Sequence, residues 1–239
     1  MLKRISTGIS GLDDLMEGGF PENSIIIISG PTGSGKTTAA LQFVCRGAIS
    51  GEKSLYITLE ENRENILRLM DQMGLDRGVI DKTLFIVDGG HIRTHMTGRE
   101  ERHVGGILDF NALKRIIELF AENYDIKRLA VDCLTAIGFR YGDPLSFRSD
   151  LFGFSEFLRK RKITSVLLTE VEENSDKISR FDVEEFIADG VIKLGFTKIH
   201  NIYQRYLLIR KMRFTSHSIR MYAITITDRG ILVEGELMD

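Results

Sequence analysis

Ile25, Ile26, Ile27 and Ile28 form an unbroken apolar run. Such a run predicts a strand buried on both faces, as in a parallel sheet. Positions 36–49 follow without proline and with one late glycine, Gly47, and predict a helix. Short apolar runs recur at 54–59, 84–87, 128–132 and 164–169 and predict further strands. Helical periodicity fills the gaps at about 63–73, where Asn62 can cap, at 111–123 through Leu113, Ile116, Ile117 and Phe120, and at 145–161. Strands alternating with helices predict an α/β chain, a mostly parallel sheet flanked by helices. The tail breaks this rhythm. Runs at 191–194, 205–210 and 222–227 have no helix between them and predict an antiparallel C-terminal extension. Before the first strand, residues 4–23 read as a short leader in which Ser10 can cap a turn over Leu12, Leu15 and Met16. Residues 88–109 and 172–183 read as polar loops.

The junction between the first strand and its helix carries the chemistry. Gly30-Pro31-Thr32-Gly33-Ser34-Gly35-Lys36-Thr37 fits G-x-x-x-x-G-K-[ST] at every position. Glycines allow a concave turn whose N–H groups converge on an anion. The helix end behind it adds unsatisfied N–H groups and a positive dipole. Lys36 suits the β- and γ-phosphates, and the Thr37 hydroxyl suits Mg²⁺.

Ligands of open α/β sheets lie at the carboxyl ends of the strands. Three carboxylate sites fall there: Glu60 with Glu61, Asp132 and Glu170. Asp132 closes Leu129-Ala130-Val131 in the Walker B manner and is expected to help hold Mg²⁺. Glu60 and Glu61 are placed to orient an attacking water, against the plainer role of favouring a helix N-terminus.

Composition narrows the picture. The 239 residues suit one domain spanning 1–239. A net charge of −2 leaves no broad footprint for nucleic acid, which stays possible but not favoured. No apolar run approaches a membrane span, the N-terminus does not read as a signal peptide, and Cys45 and Cys133 read as buried thiols of a reducing, cytoplasmic setting.

Several blocks together carry a family resemblance: STGISGLDDLMEGGFP, GPTGSGKTT, ITLEENRENI, RLAVDCLTAI, RFDVEEFIADGVIKL, IRKMRFTSHS and TITDRGILV. In this order the chain resembles the KaiC-type domains of the RecA superfamily over nearly its whole length. The resemblance implies a RecA-like P-loop NTPase core. It also implies Mg²⁺-dependent ATP hydrolysis and a homo-oligomer, a hexameric ring with nucleotide between subunits. Gly30, Gly33, Ser34, Gly35, Lys36, Thr37 and Thr38 would bind ATP phosphates, with Thr37 and Asp132 on Mg²⁺. Glu60 and Glu61 would be the catalytic glutamates. Lys211, Arg213 and His217 would reach a neighbour's nucleotide, and Met212, Thr215, Thr227 and Asp228 would line the same edge, the last two near base or ribose. Lys211 and Arg213 stand two apart on a strand and so share a face; cations there would neutralise charge on a γ-phosphoryl group. Phe214 stands where the family usually has Gly, and Cys133 where it has Ser. Clock proteins of the family carry two such domains and this chain one, so a circadian role does not follow.

Other candidates are weaker. His91, His95 and His103 lack the setting of a metal site. Arg159 to Lys162 sit in the last turn of a helix, where cations suit the dipole. Three competing functions remain: a single-stranded-DNA-binding ATPase using Phe139, Arg140, Tyr141, Phe147, Arg148, Arg180 and Phe181, an autokinase accepting phosphate on Ser175 or Ser179, and a nucleotide-gated scaffold with negligible hydrolysis.

Overall fold

The computed structural model describes residues 2–89, 109–173, 175 and 177–237. Most of the polar segment expected over 88–109, with His91, His95 and His103, lies outside the described residues. The leader forms a two-stranded ribbon, β1 (Arg4–Ile5) with β2 (Phe20–Pro21), around a 3₁₀ turn at Asp13–Met16. Ser10 does not cap that turn. The turn has no side-chain cap; Asp13 instead accepts from Thr7 N–H and hydroxyl at 2.9 and 2.6 Å. Ser10 is drawn off to the last strand, its carbonyl accepting from Val233 N at 2.9 Å.

The core elements then alternate: β3 (Ile25–Gly30), α1 (Lys36–Ile49), β4 (Lys53–Thr58), α2 (Arg63–Gln72), β5 (Leu84–Asp88), α3 (Phe110–Ala121), β6 (Ile126–Asp132), α4 (Thr135–Gly138), α5 (Pro144–Lys160), β7 (Thr164–Glu170) and α6 (Glu184–Ile187). Asn62 caps α2 as expected, accepting from Asn65 N at 2.8 Å. The tail supplies β8 (Gly190–Ile199), β9 (Ile202–Met212), β10 (Met221–Thr227) and β11 (Gly230–Glu236). Among the described residues one nine-stranded sheet runs β11-β10-β9-β8-β3-β7-β6-β4-β5. From β8 to β5 neighbours are parallel; β9, β10 and β11 add antiparallel.

The pleat sorts β3 between two cores. Ile26 and Ile28 join α1 and the leader on one face; Ile25 and Ile27 join α3 and α5 on the other. The same alternation divides β4, with Tyr56 on the α1 face and Leu55 and Ile57 opposite. β8 and β9 extend well past the short runs that predict them, because residues 195–206 pair as a half-exposed ribbon with weak apolar contrast. β11 was not expected as a strand; Asp228 and Arg229 turn the chain back, with Gly230 at φ 91°.

Arg128 fastens leader, helix and sheet. Only 3 % exposed, it donates to Glu52 at 2.6 Å, to Ser6 O at 2.7 Å and to Phe43 O at 3.0 Å, over the Phe43 ring. Arg128→Met keeps the stem but strands three acceptors. It is expected to cost about 3 kcal/mol, read as a lowered urea midpoint with an unchanged slope; a midpoint within error of the parent would contradict this.

Candidate functional site

The turn between β3 and α1 wraps around an open centre. Gly33 and Gly35 take φ 78° and 106°, a backbone region that L side chains seldom occupy. Gly30 has no room for a side chain, since a Cβ there would lie 2.6 Å from Leu194 O and Ser34 Oγ. Ser34 is buried, its hydroxyl finds no hydrogen-bond partner among the described residues, and its N–H donates to Pro31 O at 3.2 Å. Behind the loop, α1 is fourteen residues long and free of acidic residues in its first turn. Its unpaired N–H groups therefore face the centre with their positive character intact.

A cleft of about 330 Å³ opens here, lined by Thr32, Gly33, Gly35, Lys36, Thr37, Thr38, Glu60, Glu61, Asp132, Glu170 and Ile226. The three carboxylate positions read from the strand ends thus converge on the loop. Lys36 is buried, donates to Pro31 O at 3.0 Å and lies 3.6 Å from Glu170. Asp132 Oδ2 accepts from Thr37 Oγ1 and from the Tyr56 hydroxyl, both at 2.7 Å. The donor set suits Mg²⁺: a carboxylate and a hydroxyl are hard oxygen ligands, and a hydroxyl donating to Asp132 keeps lone pairs for a cation. Glu60 accepts from Cys133 Sγ at 3.2 Å, and Glu61 from Asn65 Nδ2 at 2.8 Å.

Burial sets the electrostatics. It pushes the Asp132 carboxyl up from its ordinary value of 3.8, against the opposing pull of its Tyr56 and Thr37 hydrogen bonds. Burial likewise raises Glu60, with the Cys133 hydrogen bond opposing. Burial, and then the Glu60 charge, push the Cys133 thiol up to about 12, so it stays a thiol and donates to Glu60. Carboxylates crowded beside one buried lysine favour an added cation.

The cations of the tail lie elsewhere. β9 pairs antiparallel to β8, placing Lys211 opposite Val191 and Met212 opposite Gly190, level with the start of β3. Lys211 Nζ donates to Glu185 O and Ala188 O at 3.0 and 2.6 Å, and burial lowers its pKa. Arg213 pairs with Asp189 at 3.2 Å. Both therefore share the α5–α6 face, as alternation requires. They sit on the face opposite α1 and toward the strand end away from their own phosphate loop. Thr215 accepts from Arg4 at 2.9 Å, and His217 Nδ1 lies 3.0 Å from Ser218 O, also at that distant end. Phe214, 82 % exposed, takes φ 57°, the conformation a glycine favours.

Two placements correct the expectation of a single edge. Met212 points to the other face and is buried in the core at 4 % exposure. Thr227 and Asp228 lie at the opposite end of the sheet from Lys211, because β10 runs back against β9. Their neighbour Ile226 lines the cleft and would lie 3.1 Å from a Cβ on Gly35.

Four residues of the site went unassigned in the sequence: Glu170 as a partner of Lys36, Tyr56 under Asp132, Cys133 beside Glu60, and Ile226 across from Gly35. Glu170 had a signal, its place at a strand end. Tyr56 was concealed in an apolar run, and Ile226 reaches the loop only through strand order.

A buried parallel sheet, a phosphate loop at the end of a central strand, and a carboxylate closing the next-but-one strand define a RecA-like NTPase core. The chain belongs to the KaiC ATPase family: the sequence model described as "ATPase: KaiC" matches residues 5–237. It is 32 % identical over 237 residues to a UPF0273 protein of Thermotoga maritima, covering 98 % of this chain and 96 % of that one. It is 33 % identical over 228 residues to the circadian clock oscillator protein KaiC of Parathermosynechococcus lividus, covering 94 % of this chain but 41 % of that protein. The solved structure of a KaiC-like protein from Pyrococcus horikoshii superposes with a TM-score of 0.83 at 34 % identity, covering 98 % of this chain and all of that one.

Asp132 carries a stability cost that can be measured. Its raised pKa means the folded chain holds that proton more tightly than the unfolded chain. Stability is therefore lost as pH rises from the ordinary carboxylate value through the raised one. Asp132→Asn can still accept from Thr37 and Tyr56 without the charge. With no nucleotide or magnesium added, it is expected to raise the neutral-pH unfolding midpoint by about 2–4 °C, the shift that roughly 1 kcal/mol gives at this size. A fall of that size would contradict the assignment.

Proposed function

We propose that this protein is a Mg²⁺-dependent ATPase working as a homo-oligomeric ring, with each nucleotide held between two subunits. The loop 30–38 and Lys36 would hold the phosphates of ATP, and Thr37 and Asp132 would hold Mg²⁺. That ion, when bound, would offset charge on the β- and γ-phosphate oxygens. Glu60 and Glu61 would orient the attacking water, Glu60 steadied by Cys133 and Glu61 by Asn65. Ile226 of the same chain lines the cleft and, with Thr227 and Asp228 next to it in sequence, would meet the nucleoside part. From the next subunit, Lys211 and Arg213 would stabilise charge on the transferring phosphoryl group, with Thr215 and His217 beside them.

The observation that carries this reading is the separation of the two half-sites. Lys211 and Arg213 share one face and one end of the sheet, and the loop 30–38 occupies the other face and end. Within one protomer they cannot meet; a head-to-tail assembly brings them together.

Some residues of the competing readings are already occupied, while Phe139 stays 64 % exposed and Ser175 half-buried. Phe147 is fully buried against the half-buried Phe181, so Phe147 has no free face for a nucleobase. Tyr141 is tied to Asp150 at 2.7 Å. Ser179, a candidate phosphoacceptor, is buried and donates to Glu185.

Arg213→Ala should lower phosphate release from ATP by about 10³-fold, as for a removed arginine finger, while ATP affinity changes by less than about fivefold. Replacing Glu60 and Glu61 together by Gln should stop release and leave ATP binding and assembly intact. Gel filtration with ATP, with ADP and with neither would read the assembly. Full release by Arg213→Ala, or a monomer in every condition, would overturn the reading.

A further inference from the structure

A line of polar groups is sealed inside the apolar layer between the phosphate loop and α6. The Glu170 backbone N–H donates to Thr135 Oγ1 at 2.9 Å. Thr135 Oγ1 and Thr169 Oγ1 are 3.5 Å apart. Thr169 Oγ1 donates to Glu184 Oε1 at 3.0 Å, and Glu184 Oε2 accepts from Phe181 N and Val183 N at 3.3 and 3.2 Å. Thr135, Thr169 and Glu184 are each no more than 1 % exposed. Proton counting fixes the direction: Thr169 has one hydroxyl proton and gives it to Glu184, so Thr135 supplies the proton between the two threonines.

Both ends of this line reach cations. At one end the Glu170 carboxylate pairs with Lys36 at 3.6 Å and lies 3.4 Å from the Thr32 hydroxyl. At the other, Glu184 opens α6, and the carbonyls of Glu185 within it and of Ala188 just after it hold Lys211. The next residue, Asp189, holds Arg213 and Arg159 and accepts from Ile25 N. A buried carboxylate is costly unless its bonds are complete, and apolar side chains would pack this layer without that cost.

We propose that Thr169 and Glu184 are positioning residues that couple the phosphate site of a protomer to the Lys211 and Arg213 it offers to the next subunit. The proposal rests on the shared-site reading above and adds the path by which one site informs its neighbour. The two arrangements are Lys36 paired with Glu170 and Lys36 paired with phosphate. A phosphate group that draws Lys36 away frees the Glu170 carboxylate. The end of β7 and the Thr135 hydroxyl then resettle, Thr169 and Glu184 follow, and the Glu185 and Ala188 carbonyls change their hold on Lys211.

The test is amide hydrogen exchange with Mg-ATP on the full chain, with Glu60→Gln and Glu61→Gln present so that ATP persists. Peptides covering 30–38 report the phosphate site, and those covering 184–189 report α6. Mg-ATP should slow exchange in both, by about fivefold or more at α6, the low end of ordinary coupling. Thr169→Val should keep the protection at 30–38 and abolish it at 184–189, and Thr169→Ser, which keeps the hydroxyl, should restore it. Glu184→Gln should behave as Thr169→Val. Equal α6 protection in Thr169→Val, or none in the parent, would overturn the coupling while leaving the ATP site standing. No protection at 30–38 in the parent would overturn the ATP-site reading and the coupling with it.

Discussion

Antiparallel pairing of β9 on β8 governs how this molecule can work. Because Lys211 lies opposite Val191, its side chain takes the α5–α6 face near the start of β3. Because α1 packs on the other face and its loop sits at the end of β3, a protomer holds its glycine-rich loop and its exposed Arg213 apart. Strand register is a stiff constraint: a slip of one residue would send Lys211 into the core and Met212 out. The separation is therefore built into the fold and does not depend on side-chain rotamers.

The phosphate end shows the complementary economy. Its acids are Glu60, Glu61, Asp132 and Glu170, set around one buried lysine. Burying such groups is unfavourable for the isolated chain, and the raised Asp132 and Glu60 values express that burial first, with neighbouring carboxylates adding to it. Functional sites commonly retain groups of this kind at the expense of stability. Neighbouring residues limit the cost. Tyr56 and Thr37 donate to Asp132, Cys133 donates to Glu60, and Asn65 donates to Glu61. Each donor also fixes where its carboxylate points.

Much of this could be read from residue order. The isoleucine run, the glycine-rich loop and the carboxylates at strand ends are local patterns whose physics is local, and the structure brings them to one cleft. Asn62 as a cap belongs to the same class. What escaped was set by long-range pairing. Ile226 nears Gly35, and Thr227 parts from Lys211, only because β10 and β11 fold back beside α1. Met212 sits between two useful cations in sequence but on the opposite side of the strand, which alternation implies once the partner of β9 is known. Ser10 looked like a cap because its neighbours were turn-forming; its actual bond reaches to Val233.

The claim that one active site is built from two chains can be tested most directly by complementation. Arg213→Ala subunits would be co-expressed with subunits carrying Glu60→Gln and Glu61→Gln, each inactive alone. In equal random mixture, about a quarter of the interfaces join an intact loop with its glutamates to an intact Arg213, since the two halves are drawn independently from closed head-to-tail contacts. The account predicts phosphate release recovering to about that fraction of the parent rate. Mixed assemblies that release no phosphate at any ratio would contradict it.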